Sequence, residues 1–188
     1  MSPDPAVFTT ERLTVRPWER ADRERAFDLY SRWEVARRLG SSPAVLDSLD
    51  AADARIERFR SSSADPRFGI WAVQRKDTGV VAGTVLLVPI PGGDGEVEVG
   101  WHLHPDSWGR GFATEAARGA VARGFAGGLP EIHAVVRPDN EPSMAVCRRL
   151  GMTPQGRTTR WYGTELECFH LPRPLTGPAD EGIRAYGA

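Results

Sequence analysis

The chain lacks the features that mark several common protein classes. Its 188 residues carry 24 Lys and Arg against 25 Asp and Glu, a formal net charge of -1. This balance gives no whole-chain attraction to nucleic acid or to an anionic membrane. No apolar run is long enough to cross a bilayer, and the first residues lack the apolar core of a signal peptide. We therefore expect a cytoplasmic protein with neither nucleic acid nor membrane as a partner.

Cysteine is also scarce. Cys147 and Cys168 lie far apart and have no Cys-x-x-Cys or Cys/His ligand spacing, so the sequence predicts neither a structural zinc site nor a disulfide framework. His102 and His104 have a spacing that two metal ligands could use, but no third ligand is in view. The sequence therefore predicts no metal site.

The length suits a single domain that can bury a substantial core. We assign residues 1–171 to this domain. From Pro172 onward Pro, Gly and Ala predominate, so residues 172–188 are predicted to form a mobile C-terminal tail.

The most informative stretch runs from residue 96 to residue 125. Before Pro105 it alternates between apolar residues (Val97, Val99, Trp101, Leu103) and polar or small ones (Glu96, Glu98, Gly100, His102). A period of two predicts a half-buried strand. After Gly111 the apolar spacing becomes helical from Phe112 to Phe125. The segment is therefore predicted to be a strand, a Gly-rich loop and a helix.

This order of elements has a chemical consequence. The first N–H groups of a helix lack intrahelical acceptors and lie at the positive end of its dipole, so they attract phosphate. Gly109 and Gly111 allow the main chain to bend tightly and approach a ligand closely. The loop lacks the third Gly of dinucleotide sites and the Gly-Lys-Ser/Thr of nucleoside triphosphate loops. Both of those classes are disfavoured.

The same loop resembles motif A of the Gcn5-related N-acetyltransferase (GNAT) superfamily. The run from Trp108 to Ala116 is similar to its RimJ/RimL-like branch, in which Trp replaces the usual Arg or Gln, and the opening Thr10-Glu11-Arg12-Leu13 extends the likeness. The resemblance implies that acetyl-CoA is the cofactor and that the loop binds its diphosphate. The residues it places at the cofactor are Trp101, Leu103, Trp108, Gly109, Arg110, Gly111, Phe112, Ala113, Thr114, Asn140 and Ser143.

A second motif begins at Asn140, continues through Ser143, and ends at Leu150-Gly151-Met152. It resembles motif B of the superfamily. An Asn side chain at a helix entrance is a natural N-cap and also offers a donor and an acceptor to an amide-bearing arm such as pantetheine. Cys147 stands where many family members have the tyrosine that protonates the leaving thiolate. The resemblance favours Ser143 for that task, with Cys147 as the alternative.

The reaction also needs a base, because an acceptor amine is mostly protonated near pH 7. Glu98 lies on the polar side of the central strand and fills the glutamate position of the RimJ/RimL-like branch. Glu96, His102 and water are the alternatives. The resemblance further implies that backbone N–H groups from Trp101 to Leu103, exposed by a bulge in that strand, stabilise the oxyanion.

The predicted fold is α+β and GNAT-like. It has a mixed, mostly antiparallel twisted sheet of six to seven strands and about four helices, and its fourth strand, third helix and fifth strand form a parallel cofactor unit. Helices are expected over residues 20–33, from about residue 47, after Gly111 and from Asn140. Strands are expected over residues 10–18, 68–74, 80–88, 97–103 and 132–136, with a closing hairpin from residues 158–162 and 167–171.

The predicted activity is transfer of an acetyl group from acetyl-CoA to an amine by direct attack in a ternary complex. The acceptor is either a protein N-terminal α-amine or a small amine such as an amino acid, a polyamine or an aminoglycoside. A non-catalytic acyl-CoA-binding protein is the alternative function. Relatives are often dimers, so a homodimer is left open as a partner.

Overall fold

The computed structural model describes residues 6–62 and 64–174. Its strands are β1 (Phe8–Thr9), β2 (Leu13–Arg16), β3 (Gly69–Arg75), β4 (Val81–Pro89), β5 (Val97–Leu103), β6 (Glu131–Val136), β7 (Thr153–Thr158) and β8 (Leu166–Pro172). Its helices are α1 (Arg23–Tyr30), α2 (Trp33–Ala36), α3 (Leu49–Arg60), α4 (Phe112–Ala126) and α5 (Glu141–Arg149). Among the described residues, no helix has the length and apolarity needed to cross a membrane.

All eight strands form one sheet in the order β1-β2-β3-β4-β5-β6-β8-β7. Only β5 and β6 pair in parallel, and α4 connects them. The predicted α+β class, the mostly antiparallel sheet and the parallel cofactor unit are confirmed. Within residues 6–62 and 64–174 the sheet has eight strands rather than six to seven, and there are five α-helices rather than about four.

Both extra elements arise where one predicted segment is divided. The expected first strand becomes β1 and β2, because a turn brings the Thr10 N–H within 2.9 Å of the Leu13 carbonyl. The expected helix over residues 20–33 becomes a 3-10 turn followed by α1 and α2. Arg32 has an extended backbone (φ -82°, ψ 121°) that ends the first helix and caps the second.

The first strand of the predicted closing hairpin was placed too late in the chain, whereas the second, residues 167–171, lies within β8. The observed strands are β7 and β8, and residues 159–165 form the loop between them. Five of the six β7 residues are exposed, so apolar periodicity gave no signal for this edge strand. Pro172 belongs to β8, where it pairs with Glu131. The predicted tail beyond residue 174 lies outside the described residues.

The sheet is covered on both faces. Along β3, Trp71 and Val73 join the core beneath α4, whereas Ile70 and Ala72 pack with the residues of α1 and α3. The buried face of α4 is rich in alanine, namely Ala116, Ala117 and Ala120. Small side chains allow this helix to lie close to the sheet, which holds its N-terminus at one end of the parallel pair.

The parallel pair is joined at one bridge only, between Glu98 and His133. Beyond this bridge the two strands separate, since a cavity is lined by Val99 and Trp101 from β5 and by Ala134 and Val136 from β6. Backbone groups that would pair in a continuous sheet are thus left facing a cleft. This cleft positions the site described next.

Candidate active site

Two cavities meet at the open end of this cleft. The small cavity has a volume of about 230 Å³ and reaches Glu98 and the loop between β7 and β8. The large cavity, of about 1210 Å³, runs from the same point to the N-terminus of α4. The residues that line both are Arg38, Leu39, Trp101, His102, Asn140 and Ser143. A molecule that occupied the large cavity could therefore deliver a reactive group to the small one.

The large cavity ends at the Gly-rich loop before α4. Gly109 and Gly111 have left-handed φ angles of 71° and 78°, which favour glycine. No side chain caps the N-terminus of α4, and the buried Thr114 Oγ1 has no hydrogen-bond partner among the described residues. Uncapped helix N–H groups beside an orphaned hydroxyl fit the phosphates of the predicted cofactor.

Three arginines lie around this loop, one of them paired with a glutamate. The Arg12 guanidinium donates to the Arg110 carbonyl at 3.0 Å and forms an ion pair with Glu115 at 2.6 Å. Arg118 and Arg149 line the large cavity from α4 and α5. Sequence reasoning singled out none of these three arginines as cofactor residues, because an arginine on a helix or strand surface carries no local signal of what it faces.

Most of the predicted cofactor residues are brought together here. The large cavity is lined by Trp101, Leu103, Trp108, Gly109, Gly111, Phe112, Ala113, Thr114, Asn140 and Ser143. The side chain of Arg110 is apart from them: this residue is exposed and does not line the cavity. The Trp108 indole is held against the loop by a bond from its Nε1 to the Leu103 carbonyl at 2.8 Å.

The two candidate proton donors on α5 have different surroundings. Asn140 caps the helix by accepting from the Ser143 N–H at 3.4 Å, and both residues line the two cavities. Cys147 is fully buried in the core and lines neither cavity. Burial raises the pKa of its thiol to about 12. Of the two, only Ser143 has access to a bound ligand.

Glu98 is the carboxylate of the small cavity. Its Oε1 accepts a hydrogen bond from the Tyr162 hydroxyl at 2.5 Å. Burial raises the pKa of Glu98 to about 7, and the bond from Tyr162 opposes this rise. A carboxylate with a pKa near neutrality can both accept and release a proton at physiological pH.

The two alternative bases are less suited to that task. Glu96 lines neither cavity, and backbone N–H bonds together with Arg160, 2.7 Å away, lower its pKa. His102 does line both cavities, but burial lowers its pKa to about 4. Its imidazole is neutral at pH 7 and binds a proton weakly there.

The histidine pair considered for metal is divided between different contacts. His104 lies between Asp28 and Asp106, 3.0 Å from each carboxylate, whereas His102 is 3.4 Å from the Tyr30 hydroxyl. Within residues 6–62 and 64–174, one group of His, Cys, Asp and Glu has the proximity to share an ion: Glu131, His133 and His170. Hydrogen bonds between Glu131 and the imidazoles of His133 and His170 explain why these three side chains lie close together.

The bulge expected in the central strand is absent. Pairing of β5 with β4 is regular from Val97 to Leu103, without a register shift. The splay of β5 from β6 supplies the free backbone groups instead. The N–H donors expected from Trp101 to Leu103 stay a prediction, and a bulge is not what would expose them.

A splayed parallel strand pair, an uncapped helix beside a Gly-rich loop and a buried carboxylate between two cavities define an enzyme that binds a phosphorylated cofactor. A family profile described as the acetyltransferase (GNAT) domain matches residues 12–153. The chain belongs to the GNAT acetyltransferase family. The predicted enzyme class, an acetyl-CoA-dependent N-acetyltransferase, is confirmed.

Several proteins resemble this chain over most of its length. It is 30% identical to an uncharacterized N-acetyltransferase, YoaA, of Bacillus subtilis, covering 80% of this chain and 84% of that one. An acetyltransferase crystal structure from Agrobacterium tumefaciens is 26% identical, with a TM-score of 0.72 and coverage of 91% and 96%. The RimJ protein of Mycobacterium smegmatis, in complex with CoA-disulfide, is 18% identical, with a TM-score of 0.71 and coverage of 85% and 81%. That last likeness shows the fold alone.

Proposed function

We propose that this protein acetylates an α-amine, with Glu98 as the general base. The observation that carries the proposal is the position of Glu98 in the small cavity, whose mouth adjoins the six residues shared with the large cavity. An acceptor amine in the small cavity then meets a thioester that enters from the large one. Glu98 removes the proton that the amine must lose before it attacks.

An α-amine matches this base better than an alkyl amine does. α-Amines have pKa values near 8, against about 10.4 for lysine-type amines. Proton transfer to a carboxylate with a pKa of about 7 is therefore less unfavourable from an α-amine.

The charge of the small cavity supports the same class of acceptor. Its lining contains one carboxylate, Glu98, and two guanidinium groups, Arg38 and Arg137. Arg38 is paired with Asp139 at 2.6 Å, and Arg137 donates to the Gly40 carbonyl at 2.5 Å. A polyamine or an aminoglycoside, with several positive charges, fits this lining poorly, whereas an α-amine carries an adjacent carbonyl or carboxylate.

The remaining roles are assigned to residues that line the large cavity. Acetyl-CoA, when bound, supplies an acyl group activated as a thioester. The N–H groups from Phe112 to Thr114, with Arg12 nearby, bind its phosphates. The Asn140 side chain bonds the amide-bearing arm, and the Ser143 hydroxyl gives a proton to the departing sulfur. Free backbone N–H groups of β5 stabilise the carbonyl oxygen.

The test is an acceptor screen with the full chain. Acetyl-CoA is supplied with peptides bearing free N-termini, single amino acids, spermidine and an aminoglycoside, and liberated thiol is measured. We expect thiol release with the α-amines and little with the polycations. Peptides as the best acceptors would support the RimJ/RimL-like branch suggested by the run from Trp108 to Ala116. Spermidine as the best acceptor would contradict the α-amine proposal.

The base is tested with the best acceptor of that screen. We expect Glu98→Gln to lower turnover at pH 7 by about 100-fold and to leave the affinity for CoA unchanged. Glu57→Gln is the control, because Glu57 is an exposed carboxylate of α3 that lines neither cavity. Binding of acetyl-CoA without thiol release from any amine would favour the alternative, a non-catalytic acyl-CoA-binding protein.

A further inference from the structure

The loop between β7 and β8 contains an unusual backbone position. We call residues 159–165 the Tyr162 loop. Tyr162 has φ 60°, and no other non-glycine residue in the described part of the chain has a positive φ. L-residues with large side chains rarely adopt this conformation, which persists where surrounding contacts hold it. Gly163, also at φ 60°, continues the left-handed turn. A glycine at position 162 would adopt this backbone conformation without strain. The presence of a tyrosine there therefore suggests that its side chain has a specific role.

The contacts of the Tyr162 loop fix it above β5. Arg160 forms ion pairs with Asp94 at 2.8 Å and with Glu96 at 2.7 Å, and both of these residues lie just before β5. Trp161 is buried, with its ring 5.8 Å from that of His133. Tyr162 is thereby directed at Glu98, the second residue of β5.

The hydroxyl of Tyr162 engages only one oxygen of Glu98, Oε1, at 2.5 Å. The loop also lines the small cavity through Tyr162 and Thr164. A carboxylate held at one oxygen keeps the lone pairs of the other for an acceptor amine. The hydrogen bond thus fixes the orientation of the group without consuming its capacity as a base.

Other titratable or charged groups surround Glu98 from every packed element. They are His133 from β6, Tyr162 and Arg160 from the loop, His102 from β5, Glu96 just before β5, and Arg38 and Arg137 from the lining of the small cavity. The partner of Glu98 on β4, Val88, is apolar. In the described structure, Tyr162 is the one member of this set whose side chain makes a hydrogen bond to the carboxylate.

We infer that Tyr162 is a positioning residue that orients the Glu98 carboxylate and stabilises its ionised form inside the small cavity. The inference rests on the proposed base role of Glu98. It assigns to the Tyr162 loop the task of keeping a buried carboxylate usable at neutral pH. Without the hydroxyl, burial acts unopposed and the carboxylate holds its proton to higher pH.

The direct test is a titration of Glu98 in the full chain. Protein labelled with 13C at glutamate carboxyl carbons is titrated by NMR, and the Glu98→Gln variant identifies the Glu98 signal. We expect a midpoint near 7 in the wild type, and a midpoint about one pH unit higher in Tyr162→Phe, since a hydrogen bond to a charged group is lost. An unchanged or lower midpoint overturns the inference.

Tyr30→Phe is the matched control. It removes a buried phenol hydroxyl that lies 2.6 Å from Thr84 and does not touch Glu98. We expect no change in the Glu98 midpoint, whereas an equal rise in this variant would show general loosening of the fold and overturn the inference.

A second measurement separates this inference from the proposed function. With a peptide acceptor, Tyr162→Phe is expected to lose about 3- to 10-fold in turnover at pH 7 and to recover to the wild-type rate at pH 9, where the carboxylate ionises in both. A loss that persists at pH 9 overturns the pKa effect. If Glu98→Gln leaves turnover unchanged, the base assignment fails, but the NMR midpoints still decide whether Tyr162 controls the ionisation of Glu98.

Discussion

The large and small cavities are built in different ways. One end of the large cavity is made by a single stretch of chain, residues 107–115 without Arg110, whose glycines and free helix N–H groups present the backbone. The small cavity gathers residues from the segment after α2, from β5, from β6 and the segment after it, from the start of α5 and from the Tyr162 loop. The loop end of the large cavity is a backbone site, and one local sequence motif can encode it. The small cavity is a side-chain site, which forms only when folding brings distant segments together.

The two cavities also differ in electrostatics. The loop end of the large cavity has exposed guanidinium groups that attract anions at little desolvation cost. The small cavity holds one carboxylate whose ionisation is made costly by burial. Substitutions at the loop end of the large cavity should therefore change the affinity for the cofactor in a way that depends on salt. Substitutions in the small cavity should change the proton affinity of Glu98, and their effects should depend on pH.

The largest expected effect comes from breaking the backbone site. Gly111→Glu places a carboxylate among the helix N–H groups and forces a non-glycine residue to φ 78°. We expect the affinity for CoA, measured by calorimetry, to fall about 1000-fold, or about 4 kcal/mol.

Gly128→Glu is its control. Gly128 also has a positive φ, 90°, and open space around its Cβ position, but it lines neither cavity. This variant bears the same strain and charge and should bind CoA like the wild type. Equal affinity of Gly111→Glu and wild type would remove the loop from the cofactor site.

The local character of the backbone site explains why sequence reasoning identified it. The alternation before Pro105, the two glycines and the helical spacing after Gly111 all lie between residues 96 and 125, and they correctly located β5, the loop and α4. Arg12 was not identified as part of this site, although its sequence neighbourhood resembled the family. Its place beside Arg110 and Glu115 depends on β2 pairing with β3, which no local pattern specifies.

The second prediction concerns Glu98 in the small cavity and is measured as the free energy of unfolding, not as enzyme activity. The pKa of Glu98 rises from its ordinary 4.5 to about 7 on folding, so between these values the folded state binds more protons than the unfolded one. The wild type therefore loses stability as pH rises through this window. We expect Glu98→Gln to gain on the order of 3 kcal/mol in unfolding free energy relative to wild type between pH 4.5 and pH 8, measured by urea denaturation.

Glu96→Gln should behave in the opposite way. The pKa of Glu96 is lowered in the folded state, so its ionised form contributes stability above the unfolded pKa, and that contribution is lost as pH falls. Removing the charge should therefore cost stability at pH 8 and less at low pH. If the Glu98→Gln difference stayed constant with pH, the carboxylate would not carry an ionisation cost.

The role of the Tyr162 loop shows what the sequence left hidden. Glu98 was identified as a candidate from its place on the strand, but its partner is 64 residues further along the chain. Residues 158–162, which contain Tyr162, were expected to be the first strand of the closing hairpin. Instead, exposed residues pair as β7, and the aromatic residues enter the loop. Burial of Trp161 against β6 overrode local propensity.

The smallest effect should distinguish a binding charge from a neighbouring surface charge. Arg149 lines the large cavity, whereas the adjacent Arg148 does not and is paired with Glu141 at 2.5 Å. Arg149→Gln is expected to weaken CoA binding about 3- to 10-fold at low salt, and less at 0.5 M salt, where screening shortens the reach of exposed charges. Arg148→Gln on the same helix should leave the affinity unchanged. Equal losses in the two variants would mean that α5 contributes only a diffuse positive field, and that the cofactor is held by the backbone of the Gly-rich loop.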